Sequence, residues 1–334
     1  MGTNFKSGLL SMGVPVVGGA GINMGQGKTY FVKPVSGNDG NDGKTAANAL
    51  KTLAAAYAKC VANQDDTVYF ISEGNSATNA SDRQSSTLTW GKDHVHLIGL
   101  NAGQRIAHRS RIAFASDYTT AAPLFTLSGN GCYIANIEFY AGVASANPTY
   151  AMYVTGTRNH IENCHIAGIG DNLMDATGNA SLALYGGAAE NYFENCVIGL
   201  DTIMRGTAVV TEIKFIYTGT TGVARTVFKG CYIIGACDTA GNYTFVTAGI
   251  GAIDRFCMFD NCIFASPGTH ISSGVSMTYA MAMNSGNGLV ILHNTSITGC
   301  DDVANDPANI VSNASAPAAA TTNANLNISM VVIK

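Results

Sequence analysis

The chain has 334 residues, a formal net charge of −4, and only 12% charged residues beside 38 glycines. This balance lacks the basic field that attracts nucleic acid, and the sequence has no run of 18 or more apolar residues to span a bilayer, so we expect neither a nucleic-acid nor a membrane partner. Abundant glycine with scarce charge is typical of a stable β structure with many turns, rather than of a helical enzyme or a disordered chain.

The first 28 residues predict an arm ahead of any regular structure. Residues 13–21 consist of Gly, Val, Pro and Ala, a run that cannot hold a regular helix or strand. Because the run is apolar for a free tail, we expect it to lie against the body of the chain, a sister subunit or another protein, through Val14, Val16 and Val17. The first residues also lack the charged-then-apolar order of a secretion signal, so we expect the protein to fold in a cytosol.

A strand, a loop and a helix follow the arm. Residues 29–35 favour a strand, and the Gly-Asn-Asp-Gly-Asn-Asp-Gly run at 37–43 favours turns. Residues 46–61 carry apolar side chains at helical spacing, and we expect this helix to cover the open end of the structure that follows. Asp39 and Asp42 are candidate calcium ligands in the loop, although turn formation alone also explains the repeated Asn-Asp-Gly.

A six-residue phrase then recurs along the chain. It reads apolar, variable, Asn or Gly, small or apolar, variable, apolar, and Ile161-Glu162-Asn163-Cys164-His165-Ile166 is one instance. A period of roughly 30 residues marks an architecture in which each unit stacks on copies of itself. The third residue of the phrase falls at Gly99, Asn136, Asn163, Asn195, Gly230, Asn261 and Asn294.

Each phrase predicts two short strands that meet at a bend. Alternation puts the first, fourth and sixth residues inside and the second and fifth outside, while Asn or Gly at the third enters the left-handed backbone region at low cost. Such corners stacked in parallel form a solenoid. We therefore predict an all-β protein, a right-handed parallel β-helix over residues 29–300 with an N-terminal capping helix. A propeller fits less well, because propeller repeats are longer and carry several hairpins.

Cysteine fills the fourth, inward position of four successive phrases. The chain has nine cysteines, and Cys164, Cys196, Cys231 and Cys262 share this position, which Thr295 takes in the last phrase. Buried thiols behave as small apolar side chains, so we predict a column of them in the core. The spacing lacks the close Cys pairs of zinc sites, and a reducing cytosol disfavours disulfides. Apart from the acidic loop named above, we expect no metal and no other cofactor.

Glu162 and Glu194 hold the outward position before the bend in consecutive coils and are the candidate catalytic residues. A glycoside hydrolase needs two carboxyl groups, and a neighbouring like charge favours the protonated acid that one of them must be. The other interpretation is a solvated ladder of charges, in which Lys229 lies between Glu194 and Asp260 as a favourable neighbour. The ladder explains the pattern without any chemistry and is the preferred interpretation.

Val197, Tyr232 and Ile263 form three consecutive apolar rungs at the outward position after the bend. A wall that faces solvent does not carry such a patch, so either a loop or a sister subunit covers it. Flat walls suit three-fold packing, and a homotrimer would bury these side chains.

The C-terminal residues 301–334 predict a tail. Residues 301–320 are rich in Ala, Asn, Pro and Ser, which disfavours regular structure. Residues 325–334 alternate like a strand and would pair with the final coil or with a neighbour.

The start of the chain resembles known β-helix proteins. Tyr30-Phe31-Val32, the loop at 37–43 and the helix that contains Leu50-Lys51-Thr52-Leu53 are similar to the first coil of pectate-lyase-like β-helix proteins. The run from Ser11 to Gly19, followed by that coil, resembles small β-helix structural proteins of tailed bacteriophages. The first resemblance implies a right-handed parallel β-helix. The second implies a homotrimer that serves as a capsid decoration, a fibre or a receptor-degrading tailspike.

Three functions are compatible with these observations. The first is a non-enzymatic virion structural protein, a trimeric capsid decoration or cement protein that binds the major capsid protein or other virion proteins and is assembled in the cytoplasm of a host bacterium. The second is a tailspike-like or lyase-like enzyme, either a polysaccharide lyase or a glycoside hydrolase. The third is an adhesin that binds a surface glycan without cleaving it. Low charge and the apolar arm favour the first.

Overall fold

The computed structural model describes residues 27–73, 82–101, 103–104, 108–207 and 209–312, together with the backbone of a two-stranded hairpin, Leu10–Ser11 and Val14–Pro15. Within these residues the chain winds into a solenoid whose walls are three sheets. Strands from successive coils lie side by side in each wall and pair in parallel. The predicted all-β parallel β-helix is confirmed.

Sheet 1 contains the strand that precedes the bend of each phrase, sheet 2 the strand that follows it, and sheet 3 the strand that closes the coil. The ten strands of sheet 1 are Thr29–Val32, Thr67–Phe70, His96–Gly99, Tyr133–Ala135, His160–Glu162, Tyr192–Glu194, Val223–Lys229, Ile253–Asp260, Leu289–His293 and Ile310–Ser312. The eight strands of sheet 2 are Asp82–Gln84, Arg111–Phe114, Glu138–Tyr140, His165–Ala167, Val197–Ile198, Tyr232–Ile234, Ile263–Ala265 and Ser296–Thr298. The eight strands of sheet 3 are Leu88–Trp90, Phe125–Leu127, Tyr150–Val154, Ala180–Tyr185, Val210–Ile216, Tyr243–Ala248, Met277–Met283 and Cys300–Ala304.

Short elements decorate this frame. One α-helix lies at Leu53–Lys59, and 3₁₀ turns and one further strand pair lie in the connections, at Asn172–Met174, Gly268–His270, Pro307–Asn309, Met204–Arg205 and Ala236–Cys237. Among the residues described above, no helix has the length and hydropathy needed to cross a bilayer.

Six of the seven predicted bends adopt the left-handed backbone conformation, with φ between 46° and 62°: Asn136, Asn163, Asn195, Gly230, Asn261 and Asn294. The prediction at Gly99 is wrong. This residue ends a strand of sheet 1, and the chain leaves the coil there and rejoins sheet 2 at Arg111. Glycine serves a different purpose at position 99, because a Cβ there would lie 2.1 Å from the carbonyl oxygen of Asn136 in the next coil.

Equivalent positions of successive coils stack in the core. The rings of Phe193, Phe228 and Phe259 lie nearly parallel, with centroids 4.7 and 4.8 Å apart, which is the spacing of paired strands. The inward thiols form the predicted column, and each Sγ is hydrogen-bonded to two carbonyl oxygens, one two residues earlier and one in the preceding coil. The hydroxyl of Thr295 lies within hydrogen-bond distance of the same two positions, at 3.0 and 3.1 Å. A small side chain with one donor therefore suits this slot.

The helix closes the first coil and is shorter than the predicted range 46–61. Residues 46–52 form turns and an isolated bridge instead. The Asp39 carboxylate accepts a hydrogen bond from the Thr52 amide at 2.9 Å, and the Thr52 hydroxyl caps the helix N-terminus. At the other end, Lys92 Nζ donates to two carbonyl oxygens of the last turn at 2.7 Å. These contacts hold the helix against the open end of the solenoid.

The coils continue beyond residue 300. Cys300–Ala304 and Ile310–Ser312 extend sheets 3 and 1, and they pair with Met277–Met283 and Leu289–His293. The composition of this segment predicted no regular structure, yet it forms two short strands, in which the inward residues Ala304 and Ile310 are buried. Residues 313–334, which include the strand predicted at 325–334, lie outside the described residues, as do Val16 and Val17.

Asp82 gives the fold a pH dependence. This buried carboxylate accepts a hydrogen bond from the Leu53 amide at 3.1 Å, and burial raises its pKa to about 6 from an ordinary 3.8. The native state therefore holds the Asp82 proton more tightly than the unfolded state, and the resulting stability is present below pH 4 and lost as the pH rises through 6. The shift corresponds to roughly 3 kcal/mol. We expect Asp82→Asn to remove this part of the pH dependence of the unfolding free energy, measured by urea denaturation.

The matched control is Asp117→Asn, because Asp117 is exposed. It should leave the difference between the unfolding free energies at pH 4 and pH 8 as in the unaltered protein. An unchanged pH dependence in the Asp82 variant would contradict the assignment.

All nine cysteines are buried and free, which makes the thiols slow to react. Burial raises the pKa of Cys60 and Cys300 to about 12 and of Cys237 to about 11, so almost no thiolate is present near neutral pH. We expect a thiol reagent to label none of the nine within minutes in native buffer and all nine in denaturant without reductant. Fewer than nine in denaturant would show that disulfides form.

Candidate functional site on the outer wall of sheet 1

The outward position before the bend carries a row of charged side chains along sheet 1. Direct register partners in successive coils form this charged row: Glu162, Glu194, Lys229, Asp260 and His293. The strand pairing thus brings the two candidate catalytic residues side by side, one coil apart. Their side chains point away from the core because the residues on either side of each are buried or form the bend.

Each carboxylate of the charged row forms a hydrogen bond or an ion pair with a neighbour from the same chain. Glu162 accepts a hydrogen bond from the Tyr133 hydroxyl at 2.6 Å. Burial and the Glu162 carboxylate raise the pKa of this tyrosine, so the hydroxyl stays protonated and keeps donating. Glu194 lies 3.3 Å from both His160 Nε2 and Lys229 Nζ. Each of the two carboxylates therefore has its own neighbour within the chain, a tyrosine hydroxyl for Glu162 and a lysine and a histidine for Glu194.

The pairing continues at the C-terminal end of the charged row. Asp260 Oδ1 lies 2.5 Å from Nδ1 of His293 in the next coil, and the side-chain Nδ2 of Asn261 also donates to this oxygen at 2.8 Å. The row therefore ends, like its middle, in a pair formed between successive coils. An ionic ladder along parallel strands stiffens a wall and leaves each carboxylate engaged.

A second row of outward side chains runs parallel to the charged row. The residue that precedes each phrase supplies this upstream row: Tyr133, His160, Tyr192, Val227, Met258 and Ile291. The first three rings meet edge to face, with centroids 5.4 and 5.0 Å apart. Phrase analysis missed this row because it began one residue too late. An aromatic or apolar residue immediately before every phrase is the signal that could have revealed it.

The outer face of sheet 2 is covered in its first half and open in its second. Val197 is 6% exposed, Tyr232 is half-buried, and Ile263 is 47% exposed. The loop that follows Gly99 reaches the bend beside Val197, where the Gln104 side chain donates to the Asn195 carbonyl oxygen at 2.8 Å. Of the two expected covers, the chain's own loop thus reaches the coil of Val197. Contact of the three rungs with a sister subunit stays a prediction.

A buried ionic cluster lies on the covered half of sheet 2. Glu138 is 1% exposed and pairs with Arg109, Arg111 and His165. Burial by itself would raise the pKa of Glu138, but these three partners hold it below its ordinary value. The charge is therefore retained and compensated, as a structural ion pair requires.

The acidic loop near the N-terminus uses its carboxylates for turns. Asp39 accepts from two backbone amides and from the Thr52 hydroxyl, and Asp42 accepts from the Lys44 amide at 3.1 Å. Within the described ranges, no three or more His, Cys, Asp or Glu side chains are grouped as metal ligands. Val14 lies in the hairpin, of which only the backbone is described.

Sheet 3 carries a tyrosine cluster on its outer face. The Tyr150 and Tyr153 centroids are 5.7 Å apart, and the Tyr153 and Tyr185 centroids are 5.8 Å apart. Lys214 Nζ lies 5.9 Å from the Tyr150 centroid and donates to the Gly178 carbonyl at 2.8 Å. Burial raises the pKa of Tyr153 to about 12 and lowers that of Lys214. Sequence analysis missed this cluster, although tyrosines midway between two phrases were a visible signal.

Comparison with solved structures identifies the fold. Pectate lyase Pel9A matches with a TM-score of 0.55 at 13% identity, over 83% of this chain and 71% of that chain. A rhamnogalacturonan lyase matches with a TM-score of 0.45 at 14% identity, over 80% of this chain and 74% of that chain. ORF18 of Geobacillus virus E2 matches with a TM-score of 0.37 at 12% identity, over 76% of this chain and 54% of that chain. No protein family and no curated protein matches the sequence. The chain has the pectate-lyase-like right-handed parallel β-helix fold, and the likeness extends to the fold alone.

The two kinds of carboxylate should differ sharply in their effect on stability. Glu194 is about a quarter exposed, so we expect Glu194→Gln to change the unfolding free energy by less than about 1 kcal/mol. Glu138→Gln breaks a buried network and should cost roughly 3 kcal/mol or more. Urea denaturation of both variants measures the difference. Equal costs would contradict the distinction between a solvated ladder and a buried cluster.

Proposed function

We propose that the chain is a non-enzymatic structural protein of a bacteriophage particle, a homotrimer that decorates or cements the capsid. In this role it binds the major capsid protein or another virion protein and is assembled in the cytoplasm of the host bacterium. The N-terminal arm, with Val14, Val16 and Val17, and the sheet 2 rungs Val197, Tyr232 and Ile263 are the surfaces proposed to contact shell or sister subunits.

The pairing of the charged row carries the non-enzymatic part of the proposal. A glycosidase needs one carboxyl group that donates a proton to the leaving oxygen and a second that activates water or attacks the sugar. Glu162 is held by the Tyr133 hydroxyl and Glu194 by Lys229 and His160. Freeing either carboxylate for proton transfer would break these contacts. The row fits a stiff wall better than an acid–base pair.

The virion part is supported by the resemblance of residues 11–19 and 30–56 to small phage β-helix proteins. The architecture is compatible with that role, since a solenoid with flat walls suits repeated contacts on a shell. Its core is continuous from the capping helix to Ile310. Such a scaffold keeps its shape while its walls and arm make contacts.

A glycan-binding adhesin is the second candidate, and the tyrosine cluster on sheet 3 favours it. Tyr150, Tyr153 and Tyr185 offer ring faces and hydroxyls beside the Lys214 ammonium. Aromatic side chains with a polar tip suit a ligand that is part apolar and part wet, as a sugar ring is. This function requires binding without cleavage.

Two measurements on the full chain separate the candidates. We expect the chain to sediment with intact particles from a lysate of the phage that carries it, and to release no new chain ends from polygalacturonate or capsular polysaccharide. Turnover that Glu162→Gln and Glu194→Gln abolish would overturn the structural role in favour of an enzyme. Glycan-array binding that Tyr153→Ala abolishes, without sedimentation with particles, would overturn it in favour of the adhesin.

A further inference from the structure

The charged row alternates in sign over its last four coils. Glu194, Lys229, Asp260 and His293 follow one another in register, as anion, cation, anion and a side chain that is cationic when protonated. Within the chain they form two pairs, Lys229 with Glu194 at 3.3 Å and His293 with Asp260 at 2.5 Å. The Lys229 and His293 side chains are 47% and 42% exposed, so their charges also face outward.

The upstream row turns apolar in the same coils. Tyr192 is followed by Val227, Met258 and Ile291, all partly exposed, and Val311 continues the row at 47% exposure. Leu289, 45% exposed, adds a further apolar side chain on the same face. A flat apolar strip bordered by charges is the composition of an interaction surface. We define the sheet 1 patch as Tyr192, Glu194, Val227, Lys229, Met258, Asp260, Leu289, Ile291, His293 and Val311.

We infer that the sheet 1 patch binds a second copy of this chain, with the two solenoids antiparallel about a two-fold axis between Lys229 and Asp260. An axis that runs along the strands reverses the order of the coils and keeps each row opposite itself. Lys229 of one copy then faces Asp260 of the other, and Glu194 faces His293. All four positions of the row meet an opposite partner.

The apolar positions match under the same operation. Val227 faces Met258, and the ring of Tyr192 faces Ile291, so apolar groups meet across the axis and the charges border them. Walls of β structure pack face to face at about 10 Å, which suits side chains of this size. The contact is isologous, as the commonest dimers are.

The parallel arrangement fails on charge. A two-fold axis along the solenoid keeps the coils in the same order, so Lys229 would face Lys229 when the charged rows meet, or the charged row would face apolar side chains when they do not. Like charges that face each other across an interface repel, which disfavours the parallel arrangement. The alternation of the row therefore selects the antiparallel pair.

This contact goes beyond the proposed function and does not depend on it. It uses sheet 1, whereas the proposed homotrimer uses Val197, Tyr232 and Ile263 on sheet 2. Sedimentation with phage particles tests the virion role, and self-association of the purified chain tests the patch. Each can fail without the other.

The test uses two charge-reversal variants. Each is expected to lose self-association alone, and a mixture of the two is expected to regain it. Lys229→Glu places two anion–anion contacts across the axis of its homodimer, and Asp260→Lys places two cation–cation contacts. We expect each variant to self-associate at least about tenfold more weakly than the unaltered chain, measured by analytical ultracentrifugation over a concentration series. An equimolar mixture of the two variants should regain association, because every contact in the mixed dimer is then complementary.

Native mass spectrometry of the mixture, with one variant tagged, identifies the species that forms. We expect a mixed dimer, or a mixed hexamer if the sheet 2 contact also forms. The matched control is the charge reversal Arg158→Glu. The Arg158 side chain is 72% exposed and lies outside the sheet 1 patch, so this variant should associate as strongly as the unaltered chain. Loss of association in both single variants without rescue on mixing would overturn the antiparallel pair. An unaltered chain that stays monomeric, or that forms trimers only, would overturn the contact itself.

Discussion

The structure depends on one backbone constraint, a left-handed bend that recurs at the same place in successive coils. Parallel strands stack at about 4.8 Å, so a bend can be tolerated only where the bends above and below it coincide. Asn and Gly reach φ values of 46° to 62° at six such corners at low cost. Once the bend is placed, alternation dictates the rest. The next residue points inward and becomes the thiol column, and the residue before it points outward and becomes the charged row.

The predictable part of the fold is the part in which the bend and the alternation around it require particular residue types, which the sequence shows directly. The phrase predicted sheets 1 and 2, their bend, the inward cysteines and the adjacency of Glu162 and Glu194. It failed at Gly99, where the glycine avoids a clash with Asn136 rather than turning the chain. Glycine has both uses, and a single sequence does not tell them apart.

The rest of the coil could not be predicted, because its residues do not reveal their conformation. A second corner lies five residues before the third position of the phrase, where positive φ is adopted by His94, Gly131, Arg158, Glu190 and Arg225. Apart from Gly, these residue types give no turn signal in the sequence. Tertiary packing holds them in the left-handed conformation, which costs about 1–2 kcal/mol per residue. The strands of sheet 3 were not predicted because their residues also lack a recognisable pattern. Its strand Val210–Ile216 buries Glu212 fully beside Arg205 at 3.2 Å, so it lacks the alternation that identifies a strand.

The candidate surfaces depended on long-range contacts and on the sign of each charge. Val197 and Ile263 have the same position in the phrase, yet the first is 6% exposed and the second 47%. Beside Val197, at the bend, Gln104 donates to the Asn195 carbonyl oxygen from a loop 91 residues earlier, a contact that the phrase does not encode. Along the charged row, neighbours at strand spacing favour alternating signs, since like charges directly opposite are destabilising. Glu162 and Glu194 break that alternation, and there Tyr133 and His160 supply the missing partners. From Glu194 onward the signs of the row alternate, and from Val227 onward the upstream row is apolar. The same requirement that stabilises the wall of one chain thereby makes it complementary to its own reverse, and self-recognition needs no residue beyond those that the coil already uses.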